Sequence, residues 1–169
     1  MPLNPGIAER RLLDHDIDVV DDELIHDATG QSSWHASMAL IGRWLIAAIF
    51  LTSGIAKLTD TAGTVAHMTS AGIPYADTLA TVAGVAEILG GISIGVGLLT
   101  RVGAFGLILF MIPTTLIFHA FWNYHGDARM PQMVNFMKNL AIIGGLAALT
   151  GLGAGRFSID HRLRRRHVR

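Results

Sequence analysis

The sequence predicts an all-α integral membrane protein, folded as an antiparallel four-helix bundle with both termini in the cytoplasm. Composition is the first reason: 51% of the 169 residues are hydrophobic and only 15% are charged, a balance typical of membrane proteins. The second reason is a set of four apolar stretches, which lie at 37–58, 78–100, 102–122 and 133–155. Each approaches the ~20 residues that a helix needs to cross ~30 Å of hydrocarbon. Helices are expected because an open sheet would leave backbone groups unsatisfied in lipid.

The positions of Lys and Arg predict the orientation of the chain. Arginines lie before the first stretch, in the short turn between the second and third, and after the fourth. The other side has Lys57 and Arg129, with Lys138 just inside the fourth stretch. Because Lys and Arg concentrate in cytoplasmic segments, both termini are expected in the cytoplasm.

Charge divides the chain into three regions. Residues 1–36 form an acidic extension with eight acidic groups, 37–155 form the membrane domain, and 156–169 form a basic tail. The two flanking regions are expected on the same side of the membrane. The extension is therefore expected either to be disordered or to dock on the tail, with docking of another subunit as the alternative.

Glu87 is the single charge in the apolar run 78–99. An ionised side chain at membrane depth costs about 2.5 to 3.5 kcal/mol on insertion scales, so it usually faces the bundle interior and has a partner. At ~1.5 Å per residue, Glu87 lies ~21 Å along the second helix from Arg101. Lys57 lies the same ~21 Å along the first helix from Arg43. The two side chains are level, which predicts an ion pair between the first and second spans.

Further polar side chains fall in the same half of the membrane. His119 and Lys138 each lie ~27 Å from the basic residues at the inner ends of their helices. Asn139 adjoins Lys138 near the outer end of the fourth span. Together with Glu87 and Lys57, these residues predict a polar, outward-opening cavity suited to ligand binding or proton handling.

Each of these residues also has an ordinary structural explanation. Lys57 and Lys138 can extend to the membrane interface, and His119 can belong to an interfacial aromatic belt beside Trp122. Glu87 can hold the first two spans together through Lys57. The sequence leaves the structural and the ligand-site interpretations open.

Five other residues are expected to shape the bundle. Arg43 and Arg101 mark the inner edge of the membrane. Gly91 and Gly95 form a small-xxx-small pair that lets another helix approach closely. Pro113 lies inside the third span and is expected to kink it, because proline lacks the backbone donor that a carbonyl one turn earlier would need.

The sequence contains no cysteine, which excludes thiol–disulfide chemistry, cysteine-ligated iron–sulfur clusters and c-type haem attachment. Haem held by histidines is not expected, because bundles usually use two facing axial histidines and His119 is the only histidine within a span. No metal site and no nucleic-acid partner are predicted.

Four segments carry a family resemblance. They are RWLIAAIFLTSGIAKL in the first span, AEILGGISIGVGLLTRVGA across the second and third, QMVNFMKNLAIIGGL in the fourth, and GAGRFSIDHRL after it. With these segments the chain resembles, over nearly all of residues 40–163, the DoxX family of small membrane proteins, named after a subunit of an archaeal terminal quinol oxidase. The family's polar positions correspond to Lys57, Glu87, Thr100, Arg101, Lys138, Asn139 and Asp160.

The resemblance implies a protein of the bacterial inner membrane that works with redox partners or quinol. The leading hypothesis is an accessory subunit of a quinol-linked redox complex, in which Glu87 and His119 serve a quinol head group. The alternatives are a scaffold that recruits a soluble partner through residues 9–27, and a carrier for a small polar or amphipathic molecule. The expected partners are the lipid bilayer, a membrane or cytoplasmic protein and, for a carrier, further copies of the chain. No residue is assigned a catalytic role.

Overall fold

The computed structural model describes residues 33–167. Its contacts divide the chain into two compact units, 1–38 and 39–169, and all packing described below lies within the second unit. The described residues contain helices and turns and no strand, which confirms the all-α prediction. Most of the acidic extension, with its expected docking on the tail, lies outside the described residues.

Six α-helices follow one another along the described chain. They are α1 (Ser33–Thr59), α2 (Thr61–Ser70), α3 (Ala76–Val96), α4 (Thr100–Phe118), α5 (Arg129–Leu152) and α6 (Ile159–His167). Four of them, α1, α3, α4 and α5, are long and apolar enough to cross a membrane, with short 3₁₀ turns extending α4 to Asn123 and α5 back to Gly126. The predicted four-helix membrane bundle is confirmed. The side of the membrane on which each terminus lies stays a prediction.

The bundle has two distinct ends. The tail end holds the turn between α3 and α4 together with residues 153–160. The loop end holds α2 and residues 119–128. Helix α1 runs from the tail end to the loop end, and the spans after it alternate in direction, so consecutive spans are antiparallel.

Helices α1 and α3 approach closely through glycines. A methyl group added to Gly54 would lie 2.7 Å from the carbonyl oxygen of Gly84, so the two backbones touch here without intervening side chains. Added methyl groups on Gly91 and Gly95 would lie 3.1 and 3.4 Å from the nearest side-chain atoms of α1. Gly91 and Gly95 therefore pack against α1, and Gly91 makes the tighter contact, while the role predicted for the pair in shaping the bundle stays a prediction.

The remaining core joins all four spans. Its buried members are Phe50 of α1, Ile94 of α3, Ala104, Leu107 and Met111 of α4, and Ile142 and Leu146 of α5. Helices α3 and α4 are joined by a three-residue turn, in which Gly97 (φ 75°) and Leu99 (φ 52°) adopt the left-handed conformation. A turn this short makes the two helices antiparallel neighbours, as the sequence predicted.

Helix α2 lies between the first two predicted spans, in a region to which the sequence assigned no membrane span. The carboxylate of Asp60 caps its start by accepting a hydrogen bond from the backbone N–H of Gly63 at 3.0 Å. Met68 is buried in a small cluster with alanines of α3. The ring of His67 stacks on Phe118 with centroids 4.8 Å apart. Helix α2 is thereby held against the loop end of α3 and α4.

Pro113 lies within α4, and the helix continues through it from Thr100 to Phe118. The hydroxyl of Thr114 donates to the carbonyl of Phe110 at 2.8 Å, one turn below. The kink expected at Pro113 stays a prediction.

At the tail end, Arg43 of α1 is almost completely buried, with 1% of its surface exposed. Its guanidinium donates to backbone carbonyls on three sides: to Ala154, to Phe157 at 2.8 Å and to Gly95 of α3 at 3.2 Å. A buried charge is tolerated only when hydrogen bonds replace its hydration. Arg43 therefore ties α1 to α3 and to the segment that follows α5.

Asp160 ties the same segment to α4. Its two carboxylate oxygens accept hydrogen bonds from the backbone N–H groups of Leu99 and Thr100 at 2.8 and 3.1 Å, which caps the start of α4. The N–H of Asp160 donates in turn to the carbonyl of Gly97 at 2.9 Å. Residues 153–160, part of which the sequence assigned to the basic tail, are thus part of the packed bundle.

We expect Gly54→Ala to lower the free energy of unfolding by about 1 to 3 kcal/mol, because the added methyl group overlaps backbone that cannot move aside. Gly42→Ala, on the same helix with nothing within 4 Å, is the control and is expected to be neutral or stabilising by up to about 1 kcal/mol. Unfolding by titration with a denaturing detergent measures both. Equal losses in the two variants would show that the α1–α3 contact is not tight.

Asp160→Ala is expected to lower the free energy of unfolding by about 1 kcal/mol, since it removes the cap of α4. Asp127→Ala, an exposed acid at the loop end, is the control and is expected to change it by less than about 0.5 kcal/mol. Thermal unfolding in one detergent compares the two. A neutral Asp160→Ala would contradict the capping role.

Candidate functional site

A cavity of about 470 Å³ lies among the four spans. Its lining comprises Ile49, Phe50, Thr52, Ser53 and Lys57 of α1, Glu87 of α3, Phe110, Met111 and Thr114 of α4, His119 at the end of α4, and Lys138, Asn139 and Ile142 of α5. All five candidate residues named from the sequence are among them: Lys57, Glu87, His119, Lys138 and Asn139. The structure therefore brings the predicted set together around one space.

Lys57 and Glu87 form the predicted ion pair. The Nζ of Lys57 lies 3.0 and 3.1 Å from the two carboxylate oxygens of Glu87 and also donates to the hydroxyl of Ser53 at 2.7 Å. The side chain of Glu87 is 5% exposed and that of Lys57 is 23% exposed. The pair crosses from α1 to α3 beside Gly54, where the two helices touch.

His119 ends α4 and faces the start of α5. Its Nδ1 lies 2.8 Å from the Oε1 of Gln132, within hydrogen-bond distance. When Nδ1 donates to this amide oxygen in the neutral imidazole, Nε2 is left as an acceptor for a hydroxyl group of a bound molecule.

Asn139 and Lys138 come from α5. The amide nitrogen of Asn139, which is buried, donates to the hydroxyl of Thr115 at 3.1 Å and so joins α5 to α4. Lys138 is exposed, and its Nζ donates to the side-chain oxygen of Asn135 one turn earlier at 2.9 Å. Lys138 lines the cavity and also has the exposure of a lysine that extends to an interface, so both interpretations of this residue stay open.

The lining changes from polar to apolar along the bundle. Lys57, Glu87 and His119 lie on its loop-end side, where helices α1 and α4 end. Toward the tail end the walls are Phe50, Ile142 and other apolar side chains. The cavity can therefore accept a polar group on one side and an apolar ring or chain on the other.

The exposed part of the lining lies on two helices only. Ile49 and Thr52 of α1 and Lys138 of α5 are exposed, whereas the lining residues on α3 and α4 are buried or half-buried. Among the described residues, none of 60–75 and none of 120–128 lines the cavity. These features place the opening between α1 and α5. The sequence had predicted an opening at the outer end of the bundle.

The residues predicted to shape the bundle lie elsewhere. Arg43, Gly91, Gly95 and Pro113 do not line the cavity, and Arg101 is exposed at the tail end beside Gly153. Sequence reasoning missed several lining residues, among them Thr52, Thr114, Phe110 and Met111. Their side chains resemble the apolar and hydroxyl residues of any membrane helix, so only helix packing distinguishes them.

We expect Lys57 and Glu87 to stabilise the fold as a pair. We expect Lys57→Met or Glu87→Leu alone to lower the free energy of unfolding by ~3 kcal/mol, because each leaves an unpaired ionisable group between helices. The double variant is expected to recover most of that loss. A double-mutant cycle in detergent measures the coupling, and strictly additive losses would show that the two residues do not act as a pair.

Comparison with known proteins finds similar chains among the membrane proteins of bacteria. Residues 38–120 match the family model described as DoxX. Inner membrane protein YphA of Escherichia coli (strain K12) is 37% identical over 125 residues, which cover 74% of this chain and 89% of that protein. Inner membrane protein YqjF of the same organism is 35% identical over 127 residues, covering 75% and 92%.

A third relative is the membrane protein Rv3486 of Mycobacterium tuberculosis, which is 32% identical over 139 residues, covering 73% of this chain and 80% of that protein. No solved structure matches the chain significantly. The matches with the two Escherichia coli proteins span most of both chains. This chain is a membrane protein of the DoxX family.

Proposed function

We propose that the protein holds the head group of a quinol or quinone in the cavity among its four spans, as an accessory subunit of a membrane redox complex. One observation carries the proposal: Lys57, Glu87, His119, Lys138 and Asn139, from all four spans, line a single cavity whose opening lies between two helices. The volume of about 470 Å³ falls within the range of small-molecule pockets, ~300 to 1,000 Å³.

The side chains match the two redox states of such a head group. A quinone presents carbonyl oxygens, to which the ammonium groups of Lys57 and Lys138 can donate. A quinol presents hydroxyl groups, which can donate to the carboxylate of Glu87 or to Nε2 of His119. Glu87 and His119 can also take up the protons released when a quinol is oxidised. The apolar walls beside Phe50 and Ile142 suit the ring face.

The opening supports a ligand that is dissolved in the bilayer. Thr52 lies seven residues, or ~11 Å, before the end of α1, and Lys138 lies nine residues, or ~14 Å, after the start of α5. An opening at this depth faces hydrocarbon when the helices span a ~30 Å membrane core. A molecule with an apolar tail can place its head group inside while the tail stays in lipid.

We further propose that the protein lies in the bacterial inner membrane with both termini in the cytoplasm. Its two Escherichia coli relatives are inner membrane proteins, and the arginines of the tail end favour a cytoplasmic position for that end. A redox partner, membrane-bound or cytoplasmic, would supply or remove the electrons. The acidic extension of the present chain, which carries eight acidic groups within 1–36, offers a charged contact for such a partner.

The second candidate is a scaffold with a purely structural ion pair. Lys57 is already satisfied by Glu87 and Ser53, which favours this alternative because the pair needs no ligand to complete it. A carrier is less well supported, because no residue of the tail end lines the cavity and a carrier needs access from both sides.

The test is quinone binding by the full-length protein in mild detergent. We expect lipid extracts of the purified protein to contain quinone, and we expect a short-chain quinone to bind about tenfold more weakly to Glu87→Gln and to His119→Ala, since each loses a hydrogen bond to a protonatable group. Asp77→Asn, an exposed acid outside the cavity, is the matched control and should bind as the native chain does.

The outcomes separate the two candidates. Loss of quinone in the two cavity variants with native binding in Asp77→Asn supports the redox role, and co-purifying redox subunits would extend it. A monodisperse protein without quinone that brings down one soluble protein supports the scaffold. Equal quinone binding in all four proteins would overturn the proposed site.

A further inference from the structure

Helix α6 leaves an apolar groove at the tail end of the bundle. The groove has a volume of about 450 Å³. It lies between α1 at Leu40, the last turn of α3 and the start of α6. Its lining consists of Leu40, Val96, Phe157, Ser158, Ile159 and Arg162. Phe157 is 50% exposed and Ile159 is 37% exposed, so apolar surface remains uncovered in the described part of the protein.

A basic surface borders this groove. Residues 156–167 contain five arginines and one aspartate, and the carboxylate of that aspartate, Asp160, is occupied by the start of α4. Arg162 lines the groove, and its guanidinium makes no hydrogen bond or ion pair with any described residue. Arg164 and Arg165 are exposed on the same short helix. The groove therefore combines an apolar floor with the positive charge of Arg162 at its edge, which forms no ion pair within residues 33–167.

We propose that this groove binds one anionic phospholipid, with an acyl chain against Leu40 and Val96 and the phosphate against Arg162. Leu40 and Val96 belong to membrane-spanning helices near their ends, which is the depth at which acyl chains meet head groups. Arg162 lies just beyond those ends. Arginine is well suited to a phosphate because its guanidinium offers a fork of donors.

A phospholipid fits these features better than the other occupants. Inorganic phosphate would use Arg162 but would leave Phe157 and Ile159 uncovered. The acidic extension of the chain itself carries the right charge and has apolar side chains such as Leu13 and Ile17. Burying these side chains at membrane depth would bring the neighbouring carboxylates into hydrocarbon, which is costly. A phospholipid places its phosphate against Arg162 and its acyl chain against the apolar lining. The attraction between a basic residue near the surface and an anionic leaflet changes binding about fivefold.

The experiment uses Trp44, whose ring lies beside Gly95 one residue from the groove residue Val96. The full-length chain with Trp34→Phe and Trp122→Phe is reconstituted in phosphatidylcholine containing phosphatidylglycerol with brominated acyl chains, which quench tryptophan on contact. We expect brominated phosphatidylglycerol to quench Trp44 more than brominated phosphatidylcholine at the same mole fraction. Arg162→Gln should reduce this preference about fivefold.

Arg129→Gln is the matched control. Arg129 lies over the ring of Phe121 at the loop end of the bundle, whereas the groove lies at the tail end. It should leave the preference unchanged. Equal quenching by the two lipids, or a preference that survives in Arg162→Gln, would overturn the proposal.

Two further outcomes identify other occupants and also overturn it. Relief of the quenching by inorganic phosphate would assign the site to a free anion. A preference for phosphatidylglycerol that appears only after Asp18, Asp21 and Asp22 are changed to Asn would assign the groove to the acidic extension. The test is independent of the proposed quinol site, whose variants lie in a different cavity.

Discussion

The need to satisfy buried charge governs how this bundle is built. Helix α1 carries a cation near each end of its membrane segment, and neither can be left unpaired in a low-dielectric interior. The terminal nitrogens of Arg43 donate to backbone carbonyls of α3 and of the segment after α5, while its Nε has no partner among the described residues. Lys57 is paired with the carboxylate of Glu87. The two fixed points are 14 residues apart, which is ~21 Å along a helix. Because both are fixed, α1 can neither rotate nor slide against α3, and the glycine contact between the two helices is held in one register.

This arrangement also explains where the cavity lies. Helix α1 packs directly on α3, and the backbone contact at Gly54 and Gly84 leaves no space between these helices. The space remains on the opposite side of α1, toward α5, where the lining residues Thr52 and Lys138 are exposed. Two separate hydrogen bonds, between Asn139 and Thr115 and between His119 and Gln132, join α4 to α5, so the cavity walls on that side are fixed as well. The exposed lining residues of the site therefore lie on α1 and α5, and those on α3 and α4 are buried or half-buried.

The sequence was sufficient for those features that follow from periodicity and depth. Four spans, the level positions of Lys57 and Glu87, and the close approach at Gly91 and Gly95 all follow from helix geometry and from the cost of isolated charge in lipid. Helix α2 was missed because its short run of Thr, Ala and Gly carries no strong apolar period. The direction of the cavity opening was missed because it depends on the separation of α1 and α5, which no spacing within one helix encodes. The cap of α4 by Asp160 was missed for the same reason, since its partners lie about 60 residues away along the chain.

Two hydrogen-bond partners of Arg43 lie far after it in the sequence, which matters during biosynthesis. Arg43 precedes the carbonyls of Ala154 and Phe157 by 111 and 114 residues, and its third partner, Gly95, supplies only one of the three bonds. Chains are made from the N-terminus at ~5 to 20 residues per second, so for many seconds α1 exists without most of the carbonyl groups that accept hydrogen bonds from its arginine. The arginine must stay hydrated during that interval, either at the lipid interface or in the insertion machinery. Completion of the bundle is therefore coupled to the arrival of the last segment, and a chain released before Phe157 would expose a cationic helix to cellular quality control.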